Sequence, residues 1–292
     1  MTYSIVARDP QTGDLGVAVQ SHWFSVGPVV PWARPGVGAV ATQAIARVAN
    51  GPEAIELLER GDSARDALAQ LVAKDEGAQW RQVAIVDAQG QVATHTGAAC
   101  IPYAGHVTGE QVSCQANIMA SETVWGRMLE AFEGATGPLA ERFLLALEAA
   151  EAAGGDLRGR QSAAILVVPA AGEWWETTVS LRVEDHPDPL PELRRLMRLH
   201  DAYALAGRGD ELTTEGDHDA AAALYRRSSE LAPDNHELLF WSGLGLVQNG
   251  DFEGGLAQVR AAIELQPGWA ELLTRMPDSV SPALPVIRDR LS

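Results

Sequence analysis

The chain has 292 residues, of which 46% are apolar, so it is long enough for one large domain or two smaller domains with a sizeable core. It carries 39 acidic against 22 basic residues, a formal net charge of −17, and has no basic stripe. This charge balance argues against nucleic acid or an anionic membrane as a partner.

Cysteine usage and the absence of targeting segments bear on the compartment. The two cysteines, Cys100 and Cys114, have no CxxC spacing, which argues against a disulfide or zinc framework and fits a reducing cytoplasm. The sequence shows no signal-peptide pattern and no apolar run of the ~18 residues that a membrane helix needs. We therefore expect a soluble, cytoplasmic protein.

The chain opens on a predicted β-hairpin. Residues 2 to 8 alternate with period two, turn-forming residues occupy 9 to 14, and 15 to 20 form the returning strand. Thr2 becomes the chain terminus if Met1 is trimmed. An N-terminal threonine combines a hydroxyl nucleophile with an α-amine that titrates at about 7.7–8.0 and can serve as its base. On the hairpin alone, a β-branched residue starting a strand is the simpler interpretation.

Further strands alternate with pairs of helices. A Pro-rich connection over 28–35 leads to a small, apolar strand over 36–43. The later elements are two helices between 51 and 75, a hairpin over 83–96, a strand over 111–118, helices over 121–134 and 138–153, and strands over 162–168 and 175–183. Because the strands come in hairpins, this order favours sheet packed on sheet with helices outside over a doubly wound βαβ sheet.

A proline cluster marks a domain boundary. Prolines at 187, 189 and 191 interrupt both sheet and helix, so we predict one domain over 1–185 and a helical domain over 186–292. Its first helix is expected over 191–207.

The helical part contains an internal repeat. Gly216-Asp217 recurs as Gly250-Asp251 and Pro233 recurs as Pro267, both after 34 residues. A 34-residue helix-turn-helix period is typical of tetratricopeptide (TPR) repeats. We therefore predict two TPR-like repeats with flanking helices. Since two repeats offer little concave surface, packing or self-association is a simpler role for them than binding a protein partner.

The sequence contains no metal-binding motif, no nucleotide-binding motif and no nucleophile-elbow motif of the α/β-hydrolase type. The seven histidines are scattered, no HExxH occurs, and neither GxSxG, GxxxxGK[ST] nor GxGxxG after a strand is found. We therefore expect no metal and no cofactor. Elimination leaves Thr2 as the nucleophile of greatest interest.

Five blocks within the first 190 or so residues resemble the bacterial and archaeal family catalogued as domain of unknown function 1028. The blocks are Thr2–Pro10, Gly36–Gln43, Gly105–Gly109, Gly155–Ala164 and Leu181–Pro189. Members of that family are placed among the N-terminal nucleophile (Ntn) hydrolases. The resemblance implies an α+β fold, a four-layer αββα Ntn-hydrolase-like sandwich, followed here by the small all-α TPR-like domain.

The resemblance also implies a set of site residues. Ntn hydrolases cleave amide bonds with an N-terminal Thr, Ser or Cys at the start of a core strand, and Thr2 matches that position. Asp156 lies in a loop that resembles the segment supporting the terminal amine in proteasome-type members, and Asn117 resembles a polar group that holds the oxyanion. The residues expected to contact substrate are Ser21, Thr42, Gln43, Arg160 and Gln161.

Simpler roles and a second function remain open. An ion pair with Arg158 or Arg160 accounts equally well for Asp156, and a turn role suits Asn117. Proteasome-type members use a lysine near the nucleophile, whereas no lysine here precedes Lys74, which leaves proton transfer to the α-amine. The sequence therefore favours an amidohydrolase acting on a small amide or peptide-like substrate, with a non-catalytic scaffold that recruits a protein partner as the alternative. We expect self-association into a homo-oligomer.

Overall fold

The computed structural model describes residues 2–291 and divides into two compact units, the first ending at Arg194 and the second beginning at Arg195. The first unit is mixed α/β with antiparallel sheets, and the second is helical. No helix within residues 2–291 has both the length and the apolar content needed to cross a membrane.

Two antiparallel sheets are built from ten strands in the described part of the chain. In order the strands are β1 (Thr2–Arg8), β2 (Leu15–Ser21), β3 (Pro31–Arg34), β4 (Gly38–Ala44), β5 (Arg81–Asp87), β6 (Val92–Thr96), β7 (Gly105–Gly109), β8 (Val112–Asn117), β9 (Ser162–Val168) and β10 (Val179–Val183). Sheet A has the order β10-β9-β2-β1-β8-β7, and sheet B has the order β3-β4-β5-β6. The predicted first hairpin thus supplies the two central strands of sheet A.

Each sheet carries helices. The helices of the first unit are α1 (Asn50–Glu59), α2 (Ala64–Lys74), α3 (Val124–Gly134) and α4 (Leu139–Ala152). α1 and α2 contact β4 and β5, where Ile55, Leu58 and Leu71 share a buried cluster with Ile85. α3 contacts β7 and β8, whereas α4 contacts β1, β2 and β9.

Apolar side chains of the two sheets share a further buried cluster. Val6 and Val17 of sheet A belong to it together with Ala39, Ala84 and Val86 of sheet B. Since successive side chains of a strand point to opposite faces, alternate apolar residues of these strands join this cluster, whereas Ile85, between Ala84 and Val86, joins the cluster with α1 and α2. The period-two pattern of the sequence therefore has a direct structural cause.

Two strands differ from the prediction. β3 lies within the segment 28–35 that we expected to be an irregular connection, and β7 was not predicted. Both lie at sheet edges. Pro31 is the first residue of β3, a position that an edge strand tolerates because the missing N–H need not join a ladder. β7 begins and ends with glycine. Neither strand therefore has the run of apolar residues that is typical of a buried strand.

The helical part repeats itself. Its helices are α5 (Pro189–Glu215, begun in the first unit), α6 (His218–Leu231), α7 (His236–Gln248), α8 (Phe252–Leu265), α9 (Gly268–Arg275) and α10 (Leu284–Leu291). α6 and α8 each have 14 residues, and their N-caps Asp217 and Asp251 accept hydrogen bonds from the backbone N–H three residues ahead. The predicted 34-residue interval is thus an interval between equivalent helix starts. α5 is longer than the helix expected over 191–207.

Candidate functional site

Thr2 is the first residue of β1, a central strand of sheet A. β1 pairs with β2 on one side and β8 on the other, and Thr2 lies opposite Asn117 in the β8 register. Thr2 is only 6% exposed, on the same strand face as Ser4 and Val6. Its Oγ1 lies 3.0 Å from Ser21 Oγ at the end of β2. Two hydroxyl groups that are 19 residues apart in sequence therefore meet at one end of the sheet.

A pocket of about 420 Å³ borders Thr2, and we call it the Thr2 pocket. Its polar lining residues are Thr2, Ser21 and Gln43. Its remaining lining residues are apolar: Trp23, Val26, Val29, Val30, Ala44, Ile45, Ala46 and Val48. The pocket thus combines a hydroxyl pair with an otherwise hydrocarbon wall.

Three buried amide side chains lie behind Thr2. Gln82 Oε1 accepts from Gln43 Nε2 and from Asn117 Nδ2, both at 2.9 Å. The same two nitrogens lie 3.4 Å from the Thr2 carbonyl oxygen. Gln82 Nε2 in turn donates to Ala116 O at 2.8 Å. The amides therefore connect the two sheets directly behind the first residue of β1.

The hydrogen-bond network continues along the inner face of sheet A. Ser4 Oγ donates to Gln43 Oε1 at 2.6 Å and accepts from Gln115 Nε2 at 2.6 Å. Ser113 Oγ donates to Gln115 Oε1 at 2.9 Å and lies 2.7 Å from Thr94 Oγ1. Because buried polar groups are costly unless paired, this chain of partners makes a polar layer tolerable between the sheets. We call these residues, with Gln43, Gln82 and Asn117, the amide layer.

Asn117 borders a second, smaller cleft. Its lining residues, around a volume of about 140 Å³, are Ala44, Ile45, Trp80, Ala99, Cys100, Ile101, Asn117 and Ile118. Ala44 and Ile45 line both cavities, so the cleft adjoins the Thr2 pocket. One Asn117 amide hydrogen is committed to Gln82, whereas the 3.4 Å contact to the Thr2 carbonyl is long for an N–H···O bond.

Two residues next to the site have an unusual backbone conformation. Ala44, the last residue of β4, has φ of 71°, and Ile118, directly after β8, has φ of 57°. The left-handed region is strained for residues with a Cβ and most of all for a β-branched one. Both residues line the Asn117 cleft, so the strained positions coincide with the end of the sheets that holds Thr2.

Asp156 lies at the same end of sheet A. Gly154 and Gly155, with φ of 114° and 56°, end the turn after α4 and bring Asp156 into an isolated bridge with Met119. The Asp156 carboxylate accepts from the His22 backbone N–H at 3.1 Å and from Arg158 Nη2 at 3.2 Å. It therefore fixes the residue that follows Ser21 and is itself paired with Arg158.

The remaining predicted contact residues take different positions. Gln161 donates its backbone N–H to Ser21 O at 3.2 Å, and Arg160 pairs with Glu151 and Asp188. Thr42 donates its backbone N–H to Val30 O at 3.1 Å. Of the five residues predicted to contact substrate, Ser21 and Gln43 line the Thr2 pocket.

The opposite face of β1 carries a separate polar group. The Tyr3 hydroxyl donates to Glu151 Oε2 at 2.8 Å. Burial, reinforced by the Glu151 carboxylate, raises the pKa of Tyr3 well above its ordinary value, so the phenol stays protonated. Gln20, opposite Tyr3 on β2, is fully buried, and neither side-chain polar atom has a hydrogen-bond partner within residues 2–291.

Several site residues escaped the sequence analysis. Gln82 and Gln115 were not singled out, nor were the valines of the Thr2 pocket. A usable signal was present, since Ser4, Gln115 and Gln82 are polar residues at buried positions of predicted strands or directly beside them. No group of three His, Cys, Asp or Glu side chains suited to a metal ion occurs within residues 2–291.

Comparison with known proteins gives a family without an assigned function. No curated protein matches the chain. The crystal structure of a Silicibacter pomeroyi protein described by the DUF1028 family model has 33% sequence identity and a TM-score of 0.62, and the match covers 68% of this chain and 88% of that one. Anbu (ancestral beta-subunit) from Yersinia bercovieri matches over 74% of this chain and 96% of that one, with 11% identity and a TM-score of 0.35, too low to support an argument.

The family model itself covers the whole mixed α/β part of the chain. The model described as "Family of unknown function (DUF1028)" matches residues 2–193, about the extent of the first compact unit. With 33% identity to the Silicibacter pomeroyi protein as well, the chain belongs to the DUF1028 family.

Proposed function

We propose that this protein is an amide hydrolase of the N-terminal nucleophile type, with Thr2 as the nucleophile after removal of Met1. The observation that carries the proposal is the position of Thr2. Its hydroxyl borders a pocket of about 420 Å³ beside Ser21, and two buried amides contact its carbonyl. A nucleophile next to a ligand-sized pocket, with a supporting shell behind it, is what acyl transfer requires.

The packing of the first unit supports the same proposal. The two sheets share one apolar cluster, α1 and α2 contact sheet B, and α3 and α4 contact sheet A. We interpret these contacts as the four-layer αββα arrangement of Ntn hydrolases, in which the nucleophile starts a central strand. β1 is such a strand.

The reaction begins with attack of Thr2 Oγ1 on the carbonyl carbon of the substrate amide. The Thr2 α-amine accepts the hydroxyl proton and then donates it to the leaving amine as the C–N bond breaks. The product on the protein is an ester of Thr2. Water then attacks that ester, with the amine again as base, and releases the carboxylic acid and the free hydroxyl. Ser21, 3.0 Å from the nucleophile, orients the Thr2 hydroxyl.

The other candidates act through Thr2. Asn117 supplies its weakly engaged second hydrogen to the developing oxyanion next to Thr2, while its bond to Gln82 holds the amide in place. Gln43 lines the pocket and holds Thr2 by its carbonyl. Asp156, through the His22 N–H, is a positioning residue for the end of β2 and for Ser21, and Arg160 and Gln161 belong to the loop that holds this strand end.

The test is covalent labelling with a β-lactone bearing an alkyl chain, which an N-terminal threonine opens to form an ester. Protein with a free N-terminus is expected to gain one probe mass on the peptide that begins at Thr2. The Thr2→Ala variant is expected to label at least 10³-fold more slowly, since it has lost the nucleophile. Peptide mass spectrometry also reports whether Met1 has been removed.

A matched control separates the hydroxyl from the amine. Protein with an N-terminal tag keeps the Thr2 hydroxyl but loses the free α-amine, and should not label. In the untagged protein the labelling rate should rise with pH through the α-amine pKa, about 7.7–8.0 when unperturbed, because only the neutral amine accepts a proton. Equal labelling of tagged protein, or of Thr2→Ala, contradicts the proposal.

A second candidate function is a non-catalytic scaffold. It is favoured by the helical unit, where α6 and α8 repeat after 34 residues with equivalent aspartate caps, as TPR repeats do. Tyr203 and Trp241 also leave about two fifths of their surface exposed there. Retention of Met1 in protein from its native host, together with no labelling, would favour the scaffold over the hydrolase.

A further inference from the structure

We infer that the Thr2 pocket binds an uncharged, apolar acyl group, so that the substrate is an amide of an aliphatic or aromatic carboxylic acid. This inference rests on the proposed function and specifies its substrate class.

Most of the side chains that line the Thr2 pocket are hydrocarbon. Thr2, Ser21 and Gln43 are its polar members, and no charged side chain is among the described lining residues. Val26 and Val30 line it and also belong to the buried cluster between the sheets. The pocket therefore borders the apolar core, and an apolar group that enters it removes hydrocarbon surface from water.

Two arginines on segments next to the lining already have carboxylate partners. Arg47, between the lining residues Ala46 and Val48, binds both Glu53 oxygens, at 2.7 and 2.8 Å. Arg158, in the loop that approaches β2, pairs with Asp156. Apart from the Thr2 α-amine, which the proposed reaction uses in its neutral form, the described lining offers no cation to a substrate carboxylate. Burying an unpaired charge is costly, so acidic acyl groups are disfavoured.

Exposed apolar side chains stand at the pocket mouth. Trp23, Ile45 and Val48 line the pocket, yet they are 60%, 56% and 42% exposed. Large apolar side chains that stay in contact with water next to a cavity mark a binding surface, because a ligand covers them favourably. The mouth therefore adds to the preference for an apolar ligand.

The attachment to Thr2 decides which part of the substrate enters. In the proposed reaction the acyl group is bonded to Thr2 Oγ1, and Thr2 lines the larger pocket but is not among the residues that line the Asn117 cleft. Because the acyl chain stays bonded to Thr2 after the amine has left, we assign it to the larger pocket. The leaving amine is the part of the substrate that the adjoining cleft can receive.

The test measures binding without turnover. The Thr2→Ala variant is titrated with butanamide, hexanamide and octanamide, and with the monoamide of glutaric acid as the charged probe, by ligand-observed NMR. The affinity is expected to rise up to about fourfold for each added methylene. The glutaric monoamide is expected to bind at least tenfold more weakly than hexanamide. Equal or tighter binding of the charged probe overturns the inference.

Two exposed tryptophans give a matched pair of variants. Trp23 lines the pocket, whereas Trp174 is 67% exposed in the loop after β9, at the end of sheet A away from Thr2. In the Thr2→Ala background, Trp23→Ala should weaken octanamide binding at least fivefold and Trp174→Ala less than twofold. Equal effects of the two substitutions also overturn the inference.

The two proposals fail in different measurements. Amide binding by the Thr2→Ala variant needs no nucleophile. If its affinity rises steeply with chain length but the parent protein is not labelled by the β-lactone, hydrolysis by Thr2 is contradicted and the apolar pocket is supported. Labelling at Thr2 without chain-length dependence contradicts the substrate class and leaves the hydrolase intact.

Discussion

The contacts between the two sheets fall into an apolar half and a polar half. Away from Thr2 they are made by apolar residues such as Val6, Val17 and Val86. Beside Thr2, the same strands contribute Ser4, Ser21 and Gln82 to hydrogen bonds between buried polar groups. The chemistry of the layer therefore changes within two residues along β1.

The difference separates two tasks. The apolar half stabilises the fold by removing hydrocarbon from water, and it tolerates exchange of one apolar residue for another of similar volume. The amide layer is far less tolerant, because each donor needs an acceptor at a fixed place. The amide layer holds Thr2, the first residue of β1, in a defined position, whereas residues at a chain terminus are otherwise often flexible.

The largest expected effect is that of Gln82→Leu in the amide layer. The change removes the acceptor shared by Gln43 and Asn117 and the donor to the Ala116 carbonyl. Each buried group left unpaired costs about 1–3 kcal/mol, so we expect a loss of about 3–5 kcal/mol in the free energy of unfolding. Urea unfolding followed by circular dichroism measures it.

The exposed Gln89 offers a control for this substitution, since Gln89→Leu should change the free energy of unfolding by less than about 0.5 kcal/mol. If Gln82→Leu is no more destabilising than Gln89→Leu, the amide layer does not contribute to stability as described. β-Lactone labelling should also slow in folded Gln82→Leu, because Thr2 loses its support.

Leu15→Ala tests whether the apolar half stabilises the fold without affecting the reactivity of Thr2. Leu15 is fully buried in the shared cluster at the end of β2 away from Ser21. Truncation leaves a cavity, and we expect a loss of about 2–4 kcal/mol in the free energy of unfolding. Because the Thr2 pocket is at the other end of the strand, the labelling rate of the folded variant should stay within twofold of the parent. A slower rate would mean that the two halves are coupled.

Gln20→Met tests a buried amide outside the amide layer, with the smallest expected effect. Gln20 is as buried as Gln82, but its side-chain polar atoms have no hydrogen-bond partner in the described part of the chain. Methionine keeps the length and removes the polar atoms, so we expect a gain of about 1–2 kcal/mol in unfolding free energy. Destabilisation instead would show that the Gln20 amide does have a polar partner in solution.

Much of the local structure was predictable from sequence. The first hairpin, the helix pairs and the 34-residue interval follow from period-two alternation, capping residues and repeated Gly-Asp pairs, all of which act within a few residues. The edge strands β3 and β7 were not predicted, because their stability comes from a neighbouring strand and not from their own sequence. The predicted strand at 83 likewise began two residues late and left out Arg81 and Gln82.

Sequence by itself determined that Thr2 starts a buried strand and that its hydroxyl and α-amine can belong to one nucleophile. Only the tertiary structure decided what surrounds it. β1 lies between β2 and β8, and the register of those pairings brings Ser21 and Asn117 to Thr2 from 19 and 115 residues away. Strand register and sheet stacking depend on contacts distant in sequence, which no local pattern encodes. The amide layer and the apolar pocket exist for that reason.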